Sequence, residues 1–293
     1  MRLDGLDQII MYGTGSHSGH SVEALRFDGE LYIVESQDAW YWPTHGLQRT
    51  KWADWIKQAA DADFHVTWCP LSAEARSRFD EKAANDFFFQ TEGLPYGYHN
   101  FLYGWIDTAD DNWPPLLPFN IVPSVFALIE KVDAKLVYTF FTEALNFRLG
   151  TTGQNIADIT ATAASKNMSI EDVMAMVEED GWQYYGEEPR DGLSYVCSAY
   201  VAAVWKAAGL FDPYTINATE FSPKDVYVVD FFEKDPTKLP TACAEVNGAD
   251  VPYCQIMGKY QMTLPYYSTI QPYSQMMQAC TINWPTYEVD PLC

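Results

Sequence analysis

Three residues of this chain, Cys197, His20 and Glu35, have the side chains that thiol chemistry requires. Cys197 begins an alanine-rich run, Cys197 to Leu210, that is typical of a helix. The free N–H groups and the macrodipole at a helix N-terminus stabilise a thiolate, the nucleophilic form of cysteine. An isolated cysteine is more often a buried structural residue, so the position of Cys197 alone leaves both roles open.

The other two candidates depend on a predicted β-hairpin. Two runs rich in β-forming residues flank Phe27-Asp28-Gly29-Glu30, whose central Asp-Gly pair indicates a tight turn. His20 opens the first run, and Glu35 ends the second. If the runs pair across this turn, Glu35 returns beside His20 and can orient its ring as a catalytic base. His17 competes for the same role, but His20 is preferred because it directly precedes the β run.

Other chemistries have weaker signals. His17-x-x-His20 resembles half a metal site, but no third ligand lies at a familiar spacing. Gly13-x-Gly15-x-x-x-Gly19 resembles a phosphate loop, but it leads into a strand and no lysine follows. None of the serines near these candidates stands in a G-x-S-x-G frame. We therefore predict neither a metal nor an organic cofactor.

Composition limits the class of partner. The chain has 293 residues, of which 48% are hydrophobic and 15% aromatic, and this describes a globular protein. A formal charge of −22 argues against nucleic acid, because phosphate binding needs clustered Lys and Arg. It also disfavours docking on anionic membranes. No apolar run approaches the roughly 18 residues that span a bilayer, so we predict no membrane span.

Further elements are predicted around this site. Phe64 to Trp68 alternates like a third strand, and Asp225 to Val229 is one more strand candidate. Ser72 is a plausible N-cap for a helix whose apolar positions run from Ala75 to Phe87. A proline-rich break after Asp110 leads into a largely helical segment, in which Ser169 and Asp172 form a plausible capping box.

The predicted organisation follows from these elements. Residues 1–110 and 186–235 form the core that carries the candidate residues, residues 111–185 form a helical insertion, and residues 236–293 form a tail packed on the core. The tail holds four of the six cysteines, Cys243, Cys254, Cys280 and Cys293. We predict that these pair among themselves, in any of three connectivities, and leave Cys69 and Cys197 as free thiols.

The cysteines also bear on the compartment. A disulfide framework favours a secreted, vesicular or lysosomal protein. Residues 1–10 lack the basic start and apolar stretch of a secretory signal, which suits a cytosolic protein or a precursor whose leader is not part of this sequence.

The segments GSHSGHSVEALRFDGELYIVES, LPYGYHNF and YVCSAYVAAVW together resemble the circularly permuted branch of the NlpC-like papain-fold enzymes. This branch includes the YiiX/YaeF-like proteins and is related to lecithin-retinol acyltransferase. The resemblance covers roughly residues 9–105 and 186–210. Its histidine corresponds to His20, its polar third residue to Glu35, its cysteine to Cys197, and the tyrosine of its "pYg" segment to Tyr96. Ala199 departs from it, standing where relatives often carry an acidic residue.

The resemblance implies an α+β permuted papain-like fold, in which a small antiparallel sheet packs on the cysteine helix. It implies a cysteine hydrolase that cleaves amide or acyl bonds through a thioester, with peptide, cell-wall peptide or acyl-lipid substrates. Tyr96 or Tyr195 would help the Cys197 backbone N–H to hold the oxyanion. The alternatives are a lipid acyltransferase and a catalytically silent structural or interaction module that keeps the fold.

Overall fold

The computed structural model of the chain describes residues 7, 10, 18–38, 44–98, 101, 121–176, 183–184, 192–247, 253–258, 282–283 and 288–289. This part of the chain combines helices with small antiparallel sheets, which confirms the predicted α+β class. The strands are β1 (Glu23–Phe27), β2 (Glu30–Gln37), β3 (Gly46–Lys51), β4 (Val66–Trp68), β5 (Gln183–Tyr184), β6 (Gly192–Leu193), β7 (Cys254–Met257), β8 (Ile282–Asn283) and β9 (Glu288–Val289).

The helices differ more in length than the strands. The α-helices are α1 (Trp52–Asp61), α2 (Ala73–Arg78), α3 (Glu81–Thr91), α4 (Val122–Glu130), α5 (Ala134–Val137), α6 (Glu143–Leu149), α7 (Ile156–Ser165), α8 (Ile170–Met174), α9 (Cys197–Ala207), α10 (Pro223–Val228) and α11 (Thr241–Asn247). Short 3₁₀ turns lie at Ala218–Glu220 and Pro236–Lys238, and a π-helical turn, Tyr138–Thr142, joins α5 to α6.

The sheet β1-β2-β3 is antiparallel and carries Glu35. β1 and β2 form the predicted hairpin, whose turn residues Asp28 and Gly29 have φ of 52° and 82°. An Asp-Gly pair tolerates these left-handed values, which is why the turn forms there. His20 lies three residues before β1 and does not open it, and β2 continues two residues beyond Glu35.

The third strand of this sheet is not the predicted one. Within Phe64 to Trp68 only β4 is a strand, and it pairs with β7, not with the hairpin. β3 takes the third place, although its sequence GLQRTK is polar and lacks apolar alternation. Long-range backbone bonds hold it: the Leu47 N–H donates to Leu94 O at 2.8 Å, and the Gly93 N–H donates to Leu47 O at 2.8 Å.

Helix α9 lies in the largest hydrophobic cluster, and it starts at Cys197 as predicted. Its residues Cys197 to Trp205 are all buried. Small side chains such as Ala199 and Ala202 are fully enclosed and let the helix pack closely beside β2 and α3. The helix ends at Ala207, and Gly209 follows the C-cap with a left-handed φ of 77°, as a glycine terminator allows.

The described part of the predicted insertion, residues 121–176 and 183–184, is mainly helical and ends in the short strand β5. It buries a cluster of its own, in which Phe141, Leu145, Ile159 and Met174 are almost fully enclosed. The predicted capping box at the start of α8 is present, with the Ser169 N–H donating to Asp172 Oδ2 at 2.7 Å and the Asp172 N–H donating to Ser169 Oγ at 3.0 Å.

Two other predicted elements were wrong. The single helix expected over Ala75 to Phe87 is divided into α2 and α3, because Phe79 is extended and Asp80 caps a new helix at the Ala83 N–H. The predicted N-cap Ser72 does accept from the Ala75 N–H. The strand expected over Asp225 to Val229 is instead α10. A capping box between Ser222 and Asp225 and a proline in the first turn start this helix and override the β-forming residues.

The cysteines follow the predicted pairing as far as the structure describes them. Cys243 of α11 and Cys254 of β7 form a disulfide. Cys69 and Cys197 are free, as expected. Cys280 and Cys293 lie outside the described residues.

Candidate active site

Glu35 is held at the centre of the site by its position on β2. Residues alternate across a strand, so Glu35 shares a face with Ile33 and points towards α1, whereas Val34 and Ser36 point towards α9. The side chain is fully buried. Both carboxylate oxygens are bound: His20 Nε2 donates to Oε2 at 2.9 Å and Trp55 Nε1 donates to Oε1 at 3.0 Å. A buried carboxylate needs such partners, and these two bonds hold the Glu35 carboxylate in one orientation.

His20 is therefore fixed through one ring nitrogen. The bond to Glu35 occupies Nε2 and leaves Nδ1 for a second partner. The side chain of Cys197 lies close enough to the ring to act on the pKa of His20 through its charge and through hydrogen bonding. The His20 ring also stacks on Phe64, with 6.5 Å between the ring centroids, so part of its surroundings is apolar.

The electrostatics of His20 depend on these two partners. Burial of the ring lowers its pKa, but the charge of Cys197 and hydrogen bonds to Cys197 and Glu35 raise it by more. The net result is a His20 pKa well above the usual 6.5. Negative charge and hydrogen-bond acceptors beside the ring favour its protonated form, which is why the pKa rises.

Cys197 occupies the first position of α9, as the sequence predicted. No side chain caps this end of the helix, so its first-turn N–H groups are not bound by a capping residue. The residue is only 2% exposed. The segment that leads into the helix is anchored at Tyr195. The Tyr195 carbonyl oxygen accepts from Ser36 Oγ at 2.6 Å and from the Gly97 N–H at 3.1 Å.

The two tyrosines differ in their surroundings. Tyr96 is buried near the thiol, and burial, the charge of Cys197 and the charge of Asp38 together raise the Tyr96 pKa well above 10. Its hydroxyl therefore stays protonated and can donate a hydrogen bond. The ring of Tyr195 packs against Phe87 and Tyr200 in the main core, so this residue contributes chiefly through its backbone.

Two further outcomes concern the sequence candidates. His17 lies outside the described residues, so the choice between the two histidines is supported by the contacts of His20 and not by a comparison. Trp55 was missed. Its spacing after Trp52 on an amphipathic helix indicates a buried face, but a contact with a residue 20 positions earlier has no sequence signal.

A cleft of about 780 Å³ opens beside His20. It runs along β1 and is bounded by side chains of α1, β4, α2, α9 and α10. Its wall is mainly apolar and aromatic, with Glu23, Arg76 and Glu81 among the charged side chains. A cleft of this size and character suits a small organic group.

The described residues show neither a metal-binding cluster nor a membrane-crossing helix. No group of three or more His, Cys, Asp or Glu side chains in that part of the chain is placed to hold a metal ion. No helix in the same part is long and apolar enough to cross a bilayer.

The chain matches no protein-family model, and comparisons with characterised proteins and with solved structures found no match either. The chemistry of the site must therefore be argued from its own geometry.

Proposed function

We propose that this chain is a cysteine hydrolase of permuted papain-like order, with Cys197 as nucleophile, His20 as base and Glu35 as the group that orients His20. The observation that carries the proposal is that two groups converge on His20: the buried Glu35, bonded to Nε2 at 2.9 Å, and Cys197 at the start of α9, which raises the pKa of His20. A nucleophile, a base and an orienting carboxylate in contact are what covalent acyl transfer needs.

The proposed reaction has two steps. His20 takes the thiol proton, and the sulfur of Cys197 attacks a carbonyl carbon of the substrate. The oxyanion that forms is held by the Cys197 backbone N–H and the Tyr96 hydroxyl. His20 then returns the proton to the leaving amine or alcohol, and the thioester that remains is hydrolysed by water that His20 activates. Transfer of the acyl group to a different acceptor would make the same site an acyltransferase.

The alternative is a silent module, and the small exposure of Cys197 is the observation that favours it. Alkylation by iodoacetamide at about pH 6 separates the two, because only a thiolate reacts quickly there. Cys69 is the internal control, since burial raises its pKa to about 12. We expect Cys197 to be alkylated at least about 10-fold faster than Cys69, with peptide mass spectrometry reporting each site.

Variants connect this labelling to the proposed roles. His20→Ala and Glu35→Gln should slow the alkylation of Cys197, and His17→Ala should leave it unchanged. Cys197→Ser should reduce hydrolysis of amide and thioester model substrates at least about 100-fold. Equal labelling of Cys197 and Cys69, in a protein that hydrolyses none of these substrates, would establish the silent module.

A further inference from the structure

The cleft beside His20 contains a carboxyl group that the proposed reaction does not use. Glu23 is the first residue of β1 and lines the cleft three residues after His20. Its Oε2 accepts from Trp205 Nε1 at 2.9 Å. Within the part of the chain that the structure describes, no cationic side chain forms an ion pair with it and no donor is bound to Oε1.

The surroundings of Glu23 are unusual for an acidic residue. Trp52, Phe64, Trp68 and Trp205 are among the aromatic side chains that line the same cleft. Burial raises the pKa of Glu23 to about 7, although the Trp205 hydrogen bond and the charge of Arg76 lower it. The carboxyl thus lies in an apolar wall without an ion-pair partner. This position lowers the stability of the folded protein, and a cationic ligand that pairs with the carboxyl would offset that loss.

Three features agree on the sign of that ligand. A carboxylate attracts a cation, aromatic faces attract cations through their quadrupoles, and a protein of formal charge −22 raises the local concentration of cations. Arg26, Arg76 and His20 also line the cleft and oppose a cation. Both arginines are solvent-exposed, and the attraction of Arg76 leaves the pKa of Glu23 raised. Arg26 donates to the Gly29 carbonyl oxygen and His20 is bonded to Glu35, so neither forms an ion pair with Glu23.

We propose that the cleft binds an apolar, amine-bearing compound, with its ammonium group paired to Glu23 and its body against the aromatic wall. Three residues of extended chain separate His20 from Glu23, at most about 10 Å. A substrate of the proposed hydrolase would then carry a basic nitrogen on the part that fills the cleft beside His20. This last step rests on the proposed function, whereas the binding itself does not.

The test uses the full chain with Cys197→Ala, so that binding is measured without turnover. Isothermal titration at about pH 8 compares 4-phenylbutylamine with 4-phenyl-1-butanol and 4-phenylbutanoate, which share a body and differ in charge. We expect the amine to bind at least about 10-fold more tightly than the alcohol, and the carboxylate to bind weakest.

Two further variants locate the effect. Glu23→Gln keeps an acceptor for Trp205 and should remove the preference for the amine while changing the alcohol affinity by less than about 2-fold. Glu81→Gln, at an exposed carboxyl that lines the same cleft, is the matched control and should keep the preference. If Glu23→Gln does not fold, Glu23→Asp takes its place and should keep the preference for the amine over the alcohol.

The outcomes are distinguishable from those of the proposed function. Equal affinities for amine and alcohol, no binding of either, tightest binding of the carboxylate, or a preference that survives Glu23→Gln would each overturn the inference. An amine preference in a protein whose Cys197 fails to label would leave the binding site intact and remove only the hydrolase. Rapid labelling without an amine preference would do the reverse.

Discussion

Replacing Glu23 by glutamine should stabilise the protein in a strongly pH-dependent way. The carboxyl has an ordinary pKa of 4.5 and a pKa of about 7 in the folded protein, chiefly because of burial. Below about pH 4 it is protonated in both the folded and the unfolded chain, so it has no differential effect. Between these two values the unfolded chain has lost the proton that the folded chain keeps. Stability therefore falls as the pH rises through this window.

The size of the effect follows from the same two values. Each pKa unit corresponds to about 1.4 kcal/mol, so a rise from 4.5 to about 7 costs the folded state about 3 kcal/mol once the pH exceeds 7. Glutamine does not titrate and can still accept from Trp205 Nε1. The free energy of unfolding of Glu23→Gln, relative to wild type, should thus increase by about 3 kcal/mol between about pH 4 and about pH 8.

Urea denaturation at 25 °C across this pH range, followed by tryptophan fluorescence and by circular dichroism, measures the difference directly. Glu81→Gln is the matched control, because Glu81 lines the same cleft but is exposed. Its difference from wild type should change little with pH. A constant difference for Glu23→Gln, or one equal to that of the control, would refute the assignment of Glu23 as a carboxyl held in an apolar wall.

Three other changes have defined outcomes. Trp55→Phe leaves one oxygen of the buried Glu35 without its donor, so it should lower the free energy of unfolding by about 1–3 kcal/mol in urea titrations and slow the alkylation of Cys197. Gly46→Ala should lower the melting temperature far more than Gly29→Ala. Both glycines have a left-handed φ. However, a Cβ at residue 46 would lie 2.3 Å from a backbone carbonyl oxygen, whereas a Cβ at residue 29 would face open space. Cys243→Ser opens the disulfide and should cost about 3 kcal/mol of unfolding free energy, measured by urea titration of the unreduced proteins.

The elements that the sequence predicted correctly are those with local signals. The hairpin depends on an Asp-Gly turn between two β-rich runs, and α9 depends on alanine content and a terminal glycine. β3 could not be predicted in the same way, because it is polar and is held by backbone bonds to a loop more than 40 residues away. The prediction of a strand at α10 was wrong because two local signals conflict there. The capping box that starts the helix outweighs the β propensity of its residues.

In the candidate site, too, the sequence indicated the residues that have local signals and missed those that depend on long-range contacts. Cys197, His20 and Glu35 were proposed from local signals: Cys197 begins α9, His20 precedes β1 by three residues, and Glu35 lies near the end of β2. Trp55 and the cleft carboxyl Glu23 were not, because their roles depend on contacts with residues 20 and 182 positions away. A donor to a buried carboxylate has no pattern of its own until the fold brings the pair together.

The strand β2 explains how two distant halves of the site hold their relative position. On one face Glu35 fixes His20, and on the other face the next residue, Ser36, donates to the carbonyl oxygen of Tyr195, two positions before Cys197. Consecutive residues of one strand therefore hold His20 and the approach to Cys197, and the Ser36–Tyr195 bond joins positions 159 residues apart in the chain. A slip of one residue in the register of β2 would exchange these faces and break both contacts.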